Sequence, residues 1–131
     1  MSFDASLKPH EIDAIVARYY ANKITSCKNR KISFELTFAE VKSLMKRKRC
    51  AYTGILMTKS KGSEQIATDF TIDRIDNSKG YVKGNVVACC YAANSFKGTV
   101  ENITDTLSLR DKGKILLMAA EMIDKMNSTA K

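Results

Sequence analysis

DFTIDRIDNSKGYVKGNVVACCYAANSFKG, residues 69–98, is the stretch on which the fold turns. Phe70, Ile72 and Ile75 are mixed with Asp69, Asp73 and Arg74, which suits a short strand over 70–75 that runs into a loop. Asp76-Asn77-Ser78-Lys79-Gly80 is built of turn-forming residues. Tyr81 and Val82, then Gly84, Asn85 and the apolar run Val86, Val87 and Ala88, read as a return strand. A short helix follows through Tyr91, Ala92, Ala93 and Asn94, so the order is strand, loop, strand, helix.

Helical patterns lie on both sides. Ile12, Ile15, Val16, Tyr19 and Tyr20 fall at three-and-four spacing over residues 9–26, with Pro9 tolerated in the first turn. Lys28, Asn29, Arg30 and Lys31 break that pattern as a polar, basic connection. Thr37, with Glu40 three positions on, reads as a capping box for a second helix. The inward face of that helix is Phe38, Val41, Leu44 and Met45, and it is expected to end in Lys46, Arg47, Lys48 and Arg49. Tyr52, Thr53 and Gly54 form a turn, and residues 59–64 a polar Gly/Ser loop expected to be a flexible crossing. Residues 99–106 are a polar connection with capping residues at Thr104 and Asp105. Ile115, Leu116, Ala119, Met122, Ile123 and Met126 define a last helix over 112–127, whose Met-rich stripe is expected to pack as core.

The chain has 131 residues, enough for one domain with a modest core. Hydrophobic residues at 44% and charged residues at 27% exclude a disordered or collagen-like chain. No apolar run approaches the roughly 20 residues that cross a bilayer, and the N-terminus lacks the order of a signal peptide. A soluble, cytoplasmic protein with no membrane partner is expected. The fold class is α+β, a single domain over 1–131. It comprises a helical basic part (1–49), a strand-loop-strand-helix core (50–98) and a C-terminal helix (99–131).

The net charge of +8 raises the expectation of a polyanionic partner. Its distribution sharpens that: residues 23–61 hold eleven basic and two acidic side chains, whereas residues 62–131 hold nine of each. The candidate phosphate contacts are Lys28, Arg30, Lys31, Lys46, Arg47, Lys48 and Arg49, joined by Lys79 and Lys83 from the loop and return strand. A solvated basic surface is the bland alternative, and cations at 46–49 also suit the last turn of a helix.

Cys27, Cys50, Cys89 and Cys90 are expected to be free thiols, since nothing signals export to an oxidising compartment. Structural zinc needs about four Cys or His ligands. Cys50 is followed at the right spacing by Thr53, and Cys90 by Ala93, so no CxxC pair exists and structural zinc is not expected.

In combination and in order, an Asp after an apolar strand, a Gly-Tyr loop, a Gly-Asn before the return strand, and an Asn followed three residues on by Lys resemble the HNH endonuclease family and its ββα-metal fold. The resemblance covers about residues 48–98, and the DRID form with a GY and GN continuation is similar to HNH sequences of phage type. Cys50 and Thr53, and Cys90 and Ala93, fall where zinc-bearing members place two CxxC pairs. The resemblance implies that Asp73 is the acidic metal ligand and Asn94 the second, presented from the helix. It implies that Asn85 braces the loop and that Lys97 stands near the scissile phosphate. One Mg²⁺ or Mn²⁺ is the implied cofactor, because a hard cation takes a carboxylate and an amide oxygen and keeps several waters. The packing that zinc would supply is expected from Cys50 and Cys90 buried with Tyr91 and Phe96.

One position departs from the pattern. The residue after the acidic ligand is usually the histidine that activates water, and here it is Arg74, which stays protonated and cannot serve as an ordinary base. His10, on the first helix, is the single histidine and is expected at the surface. Asp76 is the nearest substitute base, water activated by the cation itself is the other, and Arg74 could clamp a phosphate. Three functions are therefore expected candidates: a metal-dependent endonuclease on double-stranded DNA, a DNA-binding or regulatory protein that kept the fold without the base, and a protein-binding module.

Overall fold

A computed structural model describes residues 3, 5–59, 65–102 and 106–129, with the side chain of Thr129 excepted. Its elements are α1 (Pro9–Asn29), α2 (Phe38–Met45), β1 (Phe70–Arg74), β2 (Val86–Cys90), α3 (Tyr91–Val100) and α4 (Leu109–Thr129). The class is α+β, with helices around a two-stranded antiparallel sheet. Two compact units divide the chain, residues 1–94 and 95–131. No described helix is long and apolar enough to cross a membrane.

In the first unit α1 starts at Pro9, whose fixed φ suits a first turn, and the Glu11 carboxylate accepts from the Lys8 N–H at 3.1 Å. The helix runs beyond the expected end and takes in Lys28 and Asn29. Its stop is a Schellman motif: the Ile32 N–H donates to the Cys27 carbonyl at 2.8 Å and the Lys31 N–H to that of Lys28 at 3.2 Å. The motif holds Lys31 at φ +57°, where a side chain is strained. Lys31→Gly is therefore expected to stabilise the protein by about 1 kcal/mol, read as a rise in the urea midpoint at unchanged m-value. An unchanged or lowered midpoint would contradict it.

The capping box of α2 forms as expected. The Glu40 carboxylate accepts from the Thr37 N–H at 2.9 Å and Thr37 Oγ1 from the Glu40 N–H at 3.2 Å, which holds the Glu40 carboxyl below its usual range. α2 stops at Met45, so residues 46–49 are not its last turn; all four are exposed in the connection that follows. Lys42 reaches back to Asp13 of α1 at 2.7 Å, and the Tyr20 hydroxyl donates to the Leu36 carbonyl at 2.9 Å.

β1 and β2 pair in the register Phe70↔Cys90, Ile72↔Ala88 and Arg74↔Val86. The alternation puts Phe70, Ile72, Ala88 and Cys90 into one core with Val16, Val41, Met45 and Met57. The return strand is shorter at its start than expected and longer at its end: Tyr81 makes an isolated bridge to Phe34, while Cys89 and Cys90 are in the strand. α3 begins at once after β2 and continues to Val100, past the short helix expected through Asn94 and into the stretch expected to be a connection. The loop at 60–64 and the caps at Thr104 and Asp105 lie outside the described residues.

In the second unit Lys112, 8% exposed, donates through Nζ to the carbonyls of Val100 and Asn102 at 2.9 and 3.0 Å, closing the C-terminus of α3. α4 starts earlier than expected, with Ser108 Oγ accepting from the Asp111 N–H at 3.1 Å, and extends to Thr129. The methionine stripe expected as core is exposed, and so are Tyr91 and Phe96, expected to be buried.

Candidate functional site

Asp73 stands near the end of β1, opposite Val87, and is 7% exposed. The Tyr52 hydroxyl donates to its Oδ2 at 2.7 Å. Tyr52 comes from an arm of the chain at 48–57 that folds back on itself: the Met57 N–H donates to the Lys48 carbonyl and the Cys50 N–H to that of Ile55, each at 2.8 Å. The turn of this arm needs Gly54 at φ +76°, and the Ala51 N–H ties the arm to β2 through the Ala88 carbonyl at 2.9 Å. A carboxylate held by a phenol from a separate segment has a defined direction before any ligand arrives.

Asn85 lies at the base of the 75–80 loop, also 7% exposed. Its Oδ1 accepts from the Asp76 N–H at 2.9 Å, and its Nδ2 donates to the carbonyls of Asp76 at 3.1 Å and Gly80 at 2.9 Å. The Ile75 N–H donates to the Asn85 carbonyl at 2.8 Å. One side chain thus ties both ends of the loop to the start of β2.

Arg74 serves the same loop. Its Nη1 donates to the carbonyls of Asn77 at 3.0 Å and Lys79 at 3.1 Å, and its guanidinium lies 5.3 Å from the Tyr81 ring centre. Asp76 is exposed, and its Oδ1 accepts from the Ser78 N–H at 2.9 Å and the Ser78 hydroxyl at 2.6 Å, an Asx-type turn. Asp73, Arg74, Asp76 and Asn85 are therefore gathered around one end of the hairpin.

Asn94 is half-buried on the first turn of α3. Lys97 belongs to the second unit, where its Nζ pairs with Glu101 at 2.8 Å. Lys28, Arg30, Lys31, Lys46, Arg47, Lys48, Arg49, Lys79 and Lys83 are all exposed, the first seven running from the last turn of α1 to the start of the arm. Arg49 also donates to the Gly54 carbonyl at 2.9 Å, which stiffens the arm. Among the described residues, no three or more His, Cys, Asp or Glu side chains gather as a metal-holding group.

Cys50 is 3% exposed and Cys90 1%. Burial pushes the Cys50 thiol up, but hydrogen bonds from the Thr53 hydroxyl and from the backbone N–H groups of Cys90, Tyr52 and Thr53 outweigh it and bring it down to about 7. Thr53, at the position where a second thiol would be expected, thus donates to the first. All four cysteines are free and buried.

Tyr52 is the residue that sequence reasoning missed. It was legible only as part of a turn, and its partner Asp73 is remote in sequence. Its signal was an aromatic side chain between Cys50 and Gly54 in a turn otherwise made of small residues.

No protein-family model matches the chain, and no solved structure matches it. The chain is 33% identical over 86 residues to an uncharacterized 29.0 kDa protein of Enterobacteria phage T4 from the dda-modA intergenic region. The match takes in 64% of this chain and 33% of that protein, so the chain spans about a third of the length of the phage relative it resembles.

Proposed function

We propose that the protein is a metal-dependent DNA endonuclease of HNH type, with residues 70–94 as its ββα unit. The observation that carries the reading is the pinned loop: the Asn85 amide ties Asp76 and Gly80 to β2, while Asp73 is buried near the end of β1. A strand-loop-strand-helix order with an acid and a bracing Asn at these positions is the arrangement the family resemblance calls for. The similarity to a phage protein is in keeping with the phage-type form of the motif.

The donor set suits a hard divalent cation, since Asp73 offers a carboxylate and Asn94 an amide oxygen. When bound, Mg²⁺ or Mn²⁺ would polarise the scissile phosphate and offset its developing charge. The protein's own residues do the rest. Tyr52 orients the Asp73 carboxylate, Asn85 and Arg74 keep the loop in place, and Asp76 is the carboxylate available at the loop as a base. The exposed cations at 28–31 and 46–49 hold flanking phosphates of double-stranded DNA without reading sequence.

A second reading, a DNA-binding or regulatory protein without cleavage, is favoured by Arg74. It occupies the position of the base, and its guanidinium is engaged with loop carbonyls.

Nicking of supercoiled plasmid separates the two. With Mg²⁺ or Mn²⁺ the protein is expected to nick, EDTA to stop it, and Asp73→Ala to lower the rate by about 100-fold or more. Binding that weakens steeply with salt but brings no cleavage in any metal would leave the second reading. Binding insensitive to salt would remove the phosphate-gripping role from both.

A further inference from the structure

The arm at 48–57 has a core face and an open face. Arg49 and Leu56 stand opposite each other as an antiparallel bridge, between the hydrogen bonds from the Met57 N–H to the Lys48 carbonyl and from the Cys50 N–H to that of Ile55. Side chains opposed in this way share a face, and successive ones alternate. Cys50 and Met57 are buried, so Arg49 and Leu56 share the outward face; Leu56 is 49% exposed and its neighbour Ile55 44%. Hydrogen bonds hold the arm stiff. The Gly54 N–H closes the turn on the Cys50 carbonyl at 2.9 Å, Thr53 Oγ1 accepts from the Ile55 N–H at 3.2 Å, and the Arg49 guanidinium reaches the Gly54 carbonyl at 2.9 Å.

A single exposed leucine is ordinary; its setting decides what it meets. Lys46, Arg47, Lys48 and Arg49 lead into the arm, all exposed, and no acidic residue occurs in the sequence between Glu40 and Glu64. Such a run suits a polyanion. On a nucleic-acid duplex the phosphates meet the cations, and the apolar surface open to an aliphatic side chain lies in the base stack. Unstacking a base step is costly, so a wedge has to be presented ready-made, as the hydrogen bonds of the arm present Leu56. The same arm carries the Tyr52 hydroxyl onto Asp73 at 2.7 Å, so the leucine belongs to the segment that reaches the candidate cleavage site.

We propose that the arm is a DNA wedge: Leu56 enters the base stack from the groove, Arg49 and the cations before it hold the flanking phosphates, and the duplex is unwound locally. The inference rests on the DNA-binding reading, with cleavage or without it, and goes beyond it in naming the side chain that deforms the duplex.

Plasmid relaxed by a metal-independent type I topoisomerase in EDTA, with and without the full chain, and then deproteinised shows unwinding as a lowered linking number, under conditions in which metal-dependent cleavage is stopped. The wild-type chain is expected to lower the linking number in proportion to the protein bound. Leu56→Ala is expected to lose about two thirds or more of that change per bound molecule while keeping its affinity within about threefold, since the phosphate contacts remain. Arg47→Ala is expected to do the reverse, weakening binding and lowering the salt slope by about 1 with the change per bound molecule intact. Leu117→Ala, at an aliphatic position 68% exposed on α4, is expected to match the wild type. Since all three side chains are exposed, the urea midpoint of every variant should stay near that of the wild type. Binding that leaves the linking number unchanged overturns the wedge and leaves the DNA-binding reading standing, whereas a wild-type chain that binds no DNA removes both. A Leu56→Ala chain that unwinds as the wild type does, or a Leu117→Ala chain that loses as much as Leu56→Ala, also overturns the wedge.

Discussion

Asn85→Ala is expected to lower the unfolding free energy by about 3 to 4 kcal/mol, because three hydrogen bonds go at once and the Asp76 N–H loses the amide oxygen it donates to, while the Asp76 and Gly80 carbonyls keep the backbone N–H groups of Lys79 and Val82. A typical net hydrogen bond contributes about 1 kcal/mol, and each polar group left unpaired in a buried place adds about 1 to 3. The loop has little room to relax around the gap. Gly80 packs so closely on the neighbouring segment that an added Cβ would stand 2.5 Å from the Ser33 carbonyl oxygen, and the Tyr81 N–H donates to that same oxygen at 2.8 Å. Asn85→Asp is a useful companion, since its carboxylate can still accept from the Asp76 N–H but cannot donate to either carbonyl. It is expected to cost nearly as much. Urea unfolding gives the energies and amide exchange at Asp76 locates them. A loss below about 1 kcal/mol, within the ordinary range of a surface change, would show that the loop does not depend on this side chain.

The second large effect is expected in alkali. Burial pushes the Tyr19 hydroxyl up to about 12 from an ordinary 10, with hydrogen bonds to Thr71 and Ile72 opposing it. Below about pH 10 the phenol is protonated in both the folded and unfolded chain, and its contribution to stability is fully present. Between pH 10 and 12 the unfolded chain releases the proton and the folded one keeps it, so stability falls as pH rises. The loss levels off beyond the folded value and totals about 2 to 3 kcal/mol for a shift of this size. Tyr19→Phe isolates the effect from lysines and other tyrosines titrating in the same window. Its stability at neutral pH drops slightly, because the Ile72 N–H loses a partner at 3.3 Å, but the wild-type-minus-variant difference should decline above pH 10. A difference that stays flat from pH 9 to 12 would mean that the phenol ionises as freely in the fold as out of it.

These two residues mark where sequence reasoning reaches and where it stops. The bracing role of Asn85 was implied by the family resemblance, and the contacts it makes are local: it stands immediately before β2 and holds a loop only a few residues upstream. The same locality made the α2 capping box, the Pro9 start of α1 and the order of hairpin then helix readable, since each depends on spacing of a few residues along one backbone. Tyr52 on Asp73, Tyr19 under β1 and the Thr53 hydroxyl with the Cys90 N–H on Cys50 join segments that periodicity cannot relate. Arg74 shows the limit within a motif. Its chemistry as a non-base followed from its identity, whereas its engagement with the loop carbonyls followed from the curl of residues 75–80.

The sequence by itself determined the amphipathic helices, the hairpin and the concentration of positive charge, because apolar spacing, turn residues and charge are properties of the chain before it folds. Tertiary structure decided which face is covered. The stripe of Met118, Met122 and Met126 has the same periodicity whether it packs inside or stands exposed, and only the folded chain shows that it stands exposed. Periodicity states that a face is apolar; burial depends on what else the chain brings to it, and that is a long-range property.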